Sequence, residues 1–543
     1  MLSLEVLLVL LLLTVQIKSG KIKIDTSTGQ FVDEFGRSIV FHGVNVVYKL
    51  PPYLPTLDKF DPFNSLSEED IHLMKKFGFN LVRFGVIWES VERSEGMYDF
   101  EHLEKVEAIV NLLGRNGIWV LLDAHQDMFS RLFCGEGVPH FYAKKLTHET
   151  ECKSNFLSRM MRLLGACIPL KTFNWRYDED GLPLIEDCRT GFLKFHQSPE
   201  LTTIYSSFYK NEMGIQDKFI SFWKVMAQKF KDNPYIIGYD LWNEPWPGDL
   251  WSDVRSMMPG HSDHYQVLPF YQKLDSEIRK VYPEYISFFE SVPFPDTLPF
   301  FGGHVAGGFT ETPAGEFHND KQVLNLHSYC CQAKANVCET GEPNLEDAKT
   351  ICPLFHQHKI NSHMKSARKL GVPLIITEFG ACSNSEACYE EMKGFIEAAE
   401  SEHVSWAYWM YKPFGDHTTT AEAHTEGIFL DNGQTQDYKI RALTRPYFQA
   451  FQGTPLSSNF NINSSLFSAR FIYDKNIEMP NVLYFNAEFF YPKGLTISVK
   501  DDEGRDVEYV VDEINQPNYF TFKIVDKKIN KIKEFINVEI QSK

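Results

Sequence analysis

Positive charge is the first thing this 543-residue chain is short of. It carries 54 Lys and Arg against 72 Asp and Glu, a formal net charge of −18. An acidic chain cannot displace the counterions of a phosphate backbone, so nucleic acid is excluded as a partner. Long apolar runs are also missing. The longest, residues 6–15, would span only about 15 Å as a helix, half of a bilayer core. At the N-terminus, such a run reads as the core of a secretory signal covering residues 1–19. Paired C-x-x-C units are absent, which argues against a structural zinc site. There is no G-x-x-x-x-G-K-[ST] phosphate loop and no G-x-S-x-G nucleophile elbow. Cysteine itself is absent after residue 388.

The ten cysteines that are present form two clusters, 134–188 and 330–388. An even count behind a secretory signal reads as disulfides, although sequence alone cannot choose the pairing. The expected location is extracellular, or the lumen of a digestive or lysosomal compartment. Asn463-Ser464-Ser465 is an N-glycosylation sequon. Aromatics reach 14%, with 44 Phe. They imply a Phe-heavy core or apolar surface reserved for a ligand.

Short apolar runs alternate with helical patterns along most of the chain. Strands are expected near 39–45, 80–86, 117–124, 235–242, 285–290, 323–327, 374–377 and 404–410. Between them, Leu103, Val106, Val110 and Leu113 recur at helical spacing, as do Phe219, Phe222, Met226 and Phe230. Ser67 with Asp70 forms a capping box. Eight two-sided apolar strands with intervening helices predict an α/β fold, a (β/α)8 barrel over residues 20–450. After about 453, short strands and turn residues predict a small C-terminal all-β sandwich, residues 455–543. Two connections, 128–215 and 291–322, are long enough to expect function on the barrel's C-terminal face.

Catalytic residues of a barrel sit where its strands end. Those positions hold Arg83, then Asp123, His125 and Asp127, then Asn243 and Glu244, His327 and Tyr329, Glu378, and Trp409. Glu244 and Glu378 each follow an apolar strand, and glycosidic hydrolysis needs such a carboxyl pair. Asn243 is placed to bond a sugar hydroxyl, Tyr329 to orient the nucleophile, and Trp409 to stack on a sugar ring. The chemical rival is a metal held by Asp123, His125 and Asp127, which alternate along one strand face. It leaves both glutamates without a role, and no metal or cofactor is expected.

These residues resemble glycoside hydrolase family 5, a retaining family. The resemblance implies Glu244 as acid/base, Glu378 as nucleophile, and Arg83, His125, Asn243, His327, Tyr329 and Trp409 as their surroundings. Within that family the segments VNVVYKLPPY, LLDAHQDMFSR, YDLWNEPWPGD and ITEFGA are similar to those of endoglycoceramidases. That group cleaves between oligosaccharide and ceramide in glycosphingolipids, so the resemblance implies a glycolipid substrate and transient contact with a membrane or micelle. It also implies that Lys49, Gln126 and Asp127 contact the sugar at the cleavage point. A monomer is expected. A ceramide needs an apolar slot, and Phe129, Leu132, Phe133, Phe141, Tyr142, Leu157, Met160, Met161, Leu163 and Leu164 supply either that slot or the lid's own core. Rival readings are a β-glucanase or mannanase of the same family, a glucosylceramidase, and an inactive carbohydrate-binding protein.

Overall fold

The computed structural model describes residues 21–147, 167–189, 192–293, 307–334, 337, 341–419, 426–511, 517–525 and 533–543. The expected signal lies outside them. Eight strands close into a barrel. They are β1 (His42–Val46), β2 (Leu81–Gly85), β3 (Trp119–Asp123), β4 (Ile236–Asp240), β5 (Ser287–Glu290), β6 (Gln322–His327), β7 (Leu374–Glu378) and β8 (Ser405–Tyr408). Every neighbouring pair is parallel. Their residues are buried almost throughout, because one face fills the barrel and the other lies under helices.

The helices begin and end where their local chemistry directs. Ser67 and Asp70 close a reciprocal capping box on Glu68–Lys76. Asp99 caps Phe100–Arg115, whose Leu103, Val106, Val110 and Leu113 face the core. Leu345–Leu370 starts at an Asn344 cap and stops at Gly371, which takes the left-handed conformation that lacks a steric cost only for glycine.

The domain junction is less simple than a cut near residue 450. The strands Lys23–Asp25, Gln30–Val32 and Ser38–Ile39 form an antiparallel meander. Their Ile24, Phe31 and Ile39 plug the barrel floor against Phe41, Leu121, Phe288 and Ile375. The last of them then pairs with Tyr447–Phe451, which continues into Asn481–Tyr484. One seven-stranded sheet therefore spans both chain ends, and a four-stranded sheet from Gly453–Asn461 onward completes the C-terminal domain. Strands of two or three residues are too short to show an alternation in sequence. The strand Asn481–Tyr484 ends abruptly. The Asn486 side chain accepts the Phe489 N–H and starts a helical turn, Ala487–Phe490.

Disulfides join Cys134 to Cys188, Cys330 to Cys352 and Cys382 to Cys388, and Cys167 and Cys331 are also disulfide-bonded. The first ties the connection after β3 to itself. Phe129, Phe133 and Tyr142 of that connection are buried in the main core, with Leu132 and Phe141 packed against it. They serve packing rather than an open slot, whereas Leu157, Met160, Met161, Leu163 and Leu164 lie outside the described residues. Asn463 is exposed on the turn after Gly453–Asn461.

Candidate active site

A single guanidinium organises the barrel mouth. Arg83 points inward from β2 and is fully buried. Its Nε donates to Asp240 Oδ2 at 2.8 Å, and Nη2 donates to Asn243 Oδ1 at 2.8 Å and lies 3.1 Å from Asp123 Oδ1. Its Nη1 donates to Glu378 Oε1 at 2.7 Å and Asn45 Oδ1 at 3.1 Å. These acceptors come from β1, β3, β4 and β7, so one side chain sets the register of four strand ends. Burial alone would disfavour the cation. The charges of Asp123, Asp240 and Glu378 outweigh it and raise the Arg83 pKa.

Glu378, at the end of β7, is thus held on one oxygen by Arg83. On the other, Tyr329 O–H donates to Oε2 at 2.8 Å. Both lone-pair directions that a nucleophile would otherwise swing through are occupied, which leaves the carboxylate one orientation.

Glu244 follows β4 on a residue with φ +42°, a left-handed backbone that a non-glycine residue holds only when its surroundings insist. Glu290 Oε2 accepts the Glu244 N–H at 2.9 Å. Gln126 Nε2 donates to the carbonyls of Asn243 at 2.7 Å and Glu244 at 3.3 Å. The Glu244 carboxyl leaves its Oε1 2.8 Å from His327 Nδ1 and keeps 22% of its side chain exposed. Burial, then the nearby Asp127 charge, raises its pKa. Burial lowers that of His327 to about 3, so this imidazole is neutral.

The remaining expected residues form an adjoining group. His125 Nδ1 bonds Asp123 Oδ2 at 2.8 Å, and its ring stacks on Trp409 with centroids 5.3 Å apart. Lys49 Nζ lies 4.7 Å over the Trp409 ring and bonds Asp127 at 2.6 Å, Asp416 at 2.9 Å and Thr418 at 2.5 Å. Burial works against the charged form of each group, yet Lys49 holds Asp127 well below the usual carboxylate range, and Asp123 raises His125 to about 10. Gln126 spends its bonds internally: Tyr205 O–H and Phe129 N–H donate to its Oε1, at 2.7 and 2.9 Å. Its place is beneath the Asn243-Glu244 turn. The metal reading for Asp123, His125 and Asp127 meets a chain-borne cation instead. Arg83 pairs with Asp123, and the Lys49 ammonium sits on Asp127.

Several residues at the site were not singled out from sequence. Asn45, Asp240 and Glu290 bond the residues just described, and Glu426 Oε2 accepts the Trp409 Nε1–H at 3.2 Å. Asn45 and Asp240 did leave a signal. Each is a polar residue inside an otherwise apolar two-sided strand, where it must have a buried partner.

Comparison with known proteins agrees with this geometry. The family model described as Cellulase (glycosyl hydrolase family 5) matches residues 33–160 and 190–415, and the glycoside hydrolase family 5 C-terminal domain matches residues 445–533. The endoglycoceramidase of Cyanea nozakii is 28% identical over 481 residues, covering 88% of this chain and 87% of its own length. That of Hydra vulgaris is 28% identical over 533 residues, covering 95% and 92%. Endo-glycoceramidase II from Rhodococcus sp., solved with ganglioside GM3, superposes with a TM-score of 0.66 at 19% identity, covering 94% of this chain and 99% of that one.

Proposed function

Because the chain belongs to glycoside hydrolase family 5, we propose that it is an endoglycoceramidase: a retaining endo-β-glycosidase that separates an intact oligosaccharide from the ceramide of a glycosphingolipid. The observation that carries the retaining mechanism is the spacing of the two glutamates. His327 Nδ1 lies 2.8 Å from Glu244 Oε1 and 3.4 Å from Glu378 Oε2. Those oxygens are therefore at most 6.2 Å apart, short of the roughly 6.5–9.5 Å an inverting pair needs to seat a water. The relatives of 28% identity, both named endoglycoceramidases and matched over nearly their full length, support the substrate class.

In the first step Glu378 attacks the anomeric carbon as the C1–O bond to ceramide breaks. The Glu244 proton goes to the departing oxygen, and ceramide leaves as a neutral alcohol. In the second step Glu244 takes a proton from water, the water oxygen bonds to C1, and the Glu378 carboxylate is released. Arg83 and Tyr329 orient Glu378. Trp409, His125, Lys49, Asp127 and Asn243 line the sugar side.

The enzyme acts as a monomer outside the cell or in a digestive or lysosomal lumen, and it meets its substrate at a micelle or membrane surface. Supporting that contact, Val254, Met258 and Tyr265 are 45%, 60% and 65% exposed on the connection after β4, on the barrel face that carries Glu244. The disulfides support an oxidising compartment.

The test is incubation with ganglioside GM3 and mass analysis of both products. Intact ceramide and intact oligosaccharide are expected, and Glu378→Gln and Glu244→Gln should each abolish their release while circular dichroism stays native. Release of single sugars, or near-normal activity in either variant, would overturn the assignment.

A further inference from the structure

The hydrogen bonds behind His327 run in one direction only, and that direction bears on which way the Glu244 proton is held. Asp240 Oδ2, already accepting from Arg83 Nε, also accepts from Asn325 Nδ2 at 3.0 Å. With its amide nitrogen spent on a carboxylate, Asn325 turns its Oδ1 toward Thr377, and an amide oxygen cannot donate. The Thr377 hydroxyl must therefore donate to it, at 2.6 Å. That leaves Thr377 Oγ1 only as an acceptor toward His327 Nε2, 3.1 Å away. In a neutral imidazole, a protonated Nε2 leaves Nδ1 with a lone pair. This lone pair faces Glu244 Oε1 at 2.8 Å, so the contact is a hydrogen bond only while Glu244 carries the proton.

We propose that Asp240, Asn325 and Thr377 are positioning residues that lock His327 in its Nε2–H tautomer and thereby store a proton on Glu244. The inference rests on the acid/base role given to Glu244 above. It serves both halves of the reaction. Before cleavage, the lone pair of Nδ1 holds the acid protonated. After the proton has passed to the departing oxygen, the same lone pair confronts a bare carboxylate, which favours proton uptake from the incoming water. Asp240, Asn325 and Thr377 are all fully buried, so none of them touches substrate.

Other charged and titratable groups face Glu244 or His327 and are unaltered by a change at Thr377. They are Arg83 from β2, Asp123, His125 and Asp127 from β3 and its loop, Glu290 from β5, Tyr329 and Glu378 from β6 and β7, and His196 and Lys359 from the flanking helices.

Thr377→Val keeps the shape of the side chain and removes the relay. His327 Nε2–H then has no acceptor, the Nδ1–H tautomer is favoured, and Nδ1–H donates to ionised Glu244. The alkaline limb of kcat/KM for ganglioside GM3 should move down by about one pH unit or more. At neutral pH, kcat/KM for GM3 should fall about tenfold to a hundredfold. On 2,4-dinitrophenyl β-lactoside, whose leaving group needs no proton, the loss should be under about threefold. Thr377→Ser should restore the wild-type profile. An unshifted pH profile in Thr377→Val, or an equal loss on both substrates, overturns the relay. Glu244→Ala, run in parallel, tests the underlying reading by itself. Wild-type activity of Glu244→Ala on GM3 would sink the acid/base role, whereas an inactive Glu244→Ala beside an unaffected Thr377→Val would sink the relay alone.

Discussion

Replacing Tyr329 by Phe should slow the second half of the reaction far more than the first. The phenol donates to Glu378 Oε2 at 2.8 Å, while Arg83 keeps the other oxygen at 2.7 Å, so the variant loses one of two restraints. A hydrogen bond to a charged group contributes about 1.5–3 kcal/mol. In the first step the carboxylate spends its negative charge on a new C1–O bond, and a donor on it gains nothing. In the second step the charge returns as that bond breaks, and the donor stabilises the transition state. At 1.36 kcal/mol per factor of ten, with the charge only partly restored, hydrolysis of the intermediate slows by roughly ten- to a hundredfold. Quenched-flow kinetics with 2,4-dinitrophenyl β-lactoside would show a burst of about one equivalent of dinitrophenol, then a slow phase. Intact-mass measurement would show the glycosyl-enzyme accumulating. The apparent KM would fall along with kcat. If kcat and kcat/KM instead fall together without a burst, Tyr329 acts on the first step and this charge argument is wrong.

Lys49→Met strands Asp127 and Asp416 in a buried site beside Glu136 and should destabilise the fold by about 3–5 kcal/mol, read from urea unfolding. An unchanged midpoint would mean those carboxylates are not both charged. Opening Cys134–Cys188 by a double Ser substitution frees a 54-residue loop, and chain entropy puts the loss at about 4 kcal/mol. Stability should also depend on pH. His125, raised from 6.5 to about 10, contributes fully below about pH 6.5 and is lost as pH climbs through 10. Asp127, depressed below 3.8, contributes above that value and is lost on acidification. Greatest stability is expected between about pH 4 and 6.5; a thermal-unfolding series peaking above pH 8 would contradict the His125 assignment, and one showing no loss on acidification below pH 4 would contradict that of Asp127.

What could be read ahead of the structure follows a physical divide. All eight barrel strands announce themselves because burial on both faces forces unbroken apolar runs, and Glu244, Glu378 and Tyr329 are legible because function sits where those runs end. The floor meander was not legible, since strands as short as Ser38–Ile39 have no period to detect. Nor were the protein partners of Gln126, which donates to the Asn243 and Glu244 carbonyls and accepts from Tyr205 and Phe129. The relay behind His327 lies between the two cases. Asn325 and Thr377 stand out as polar residues inside apolar strands, but the direction of their hydrogen bonds exists only once β4, β6 and β7 are side by side. The same divide corrects the charge count. A formal −18 treats every carboxyl as ionised. Burial raises Glu136, Glu290 and Glu426 well above the usual range and lifts Asp240 and Glu400 to about 7. Burial favours the neutral form of each, so these interior carboxyls add less negative charge than the formal count implies. The surplus says less about a partner outside the protein than about a site built from carboxyls that must hold, orient and exchange protons.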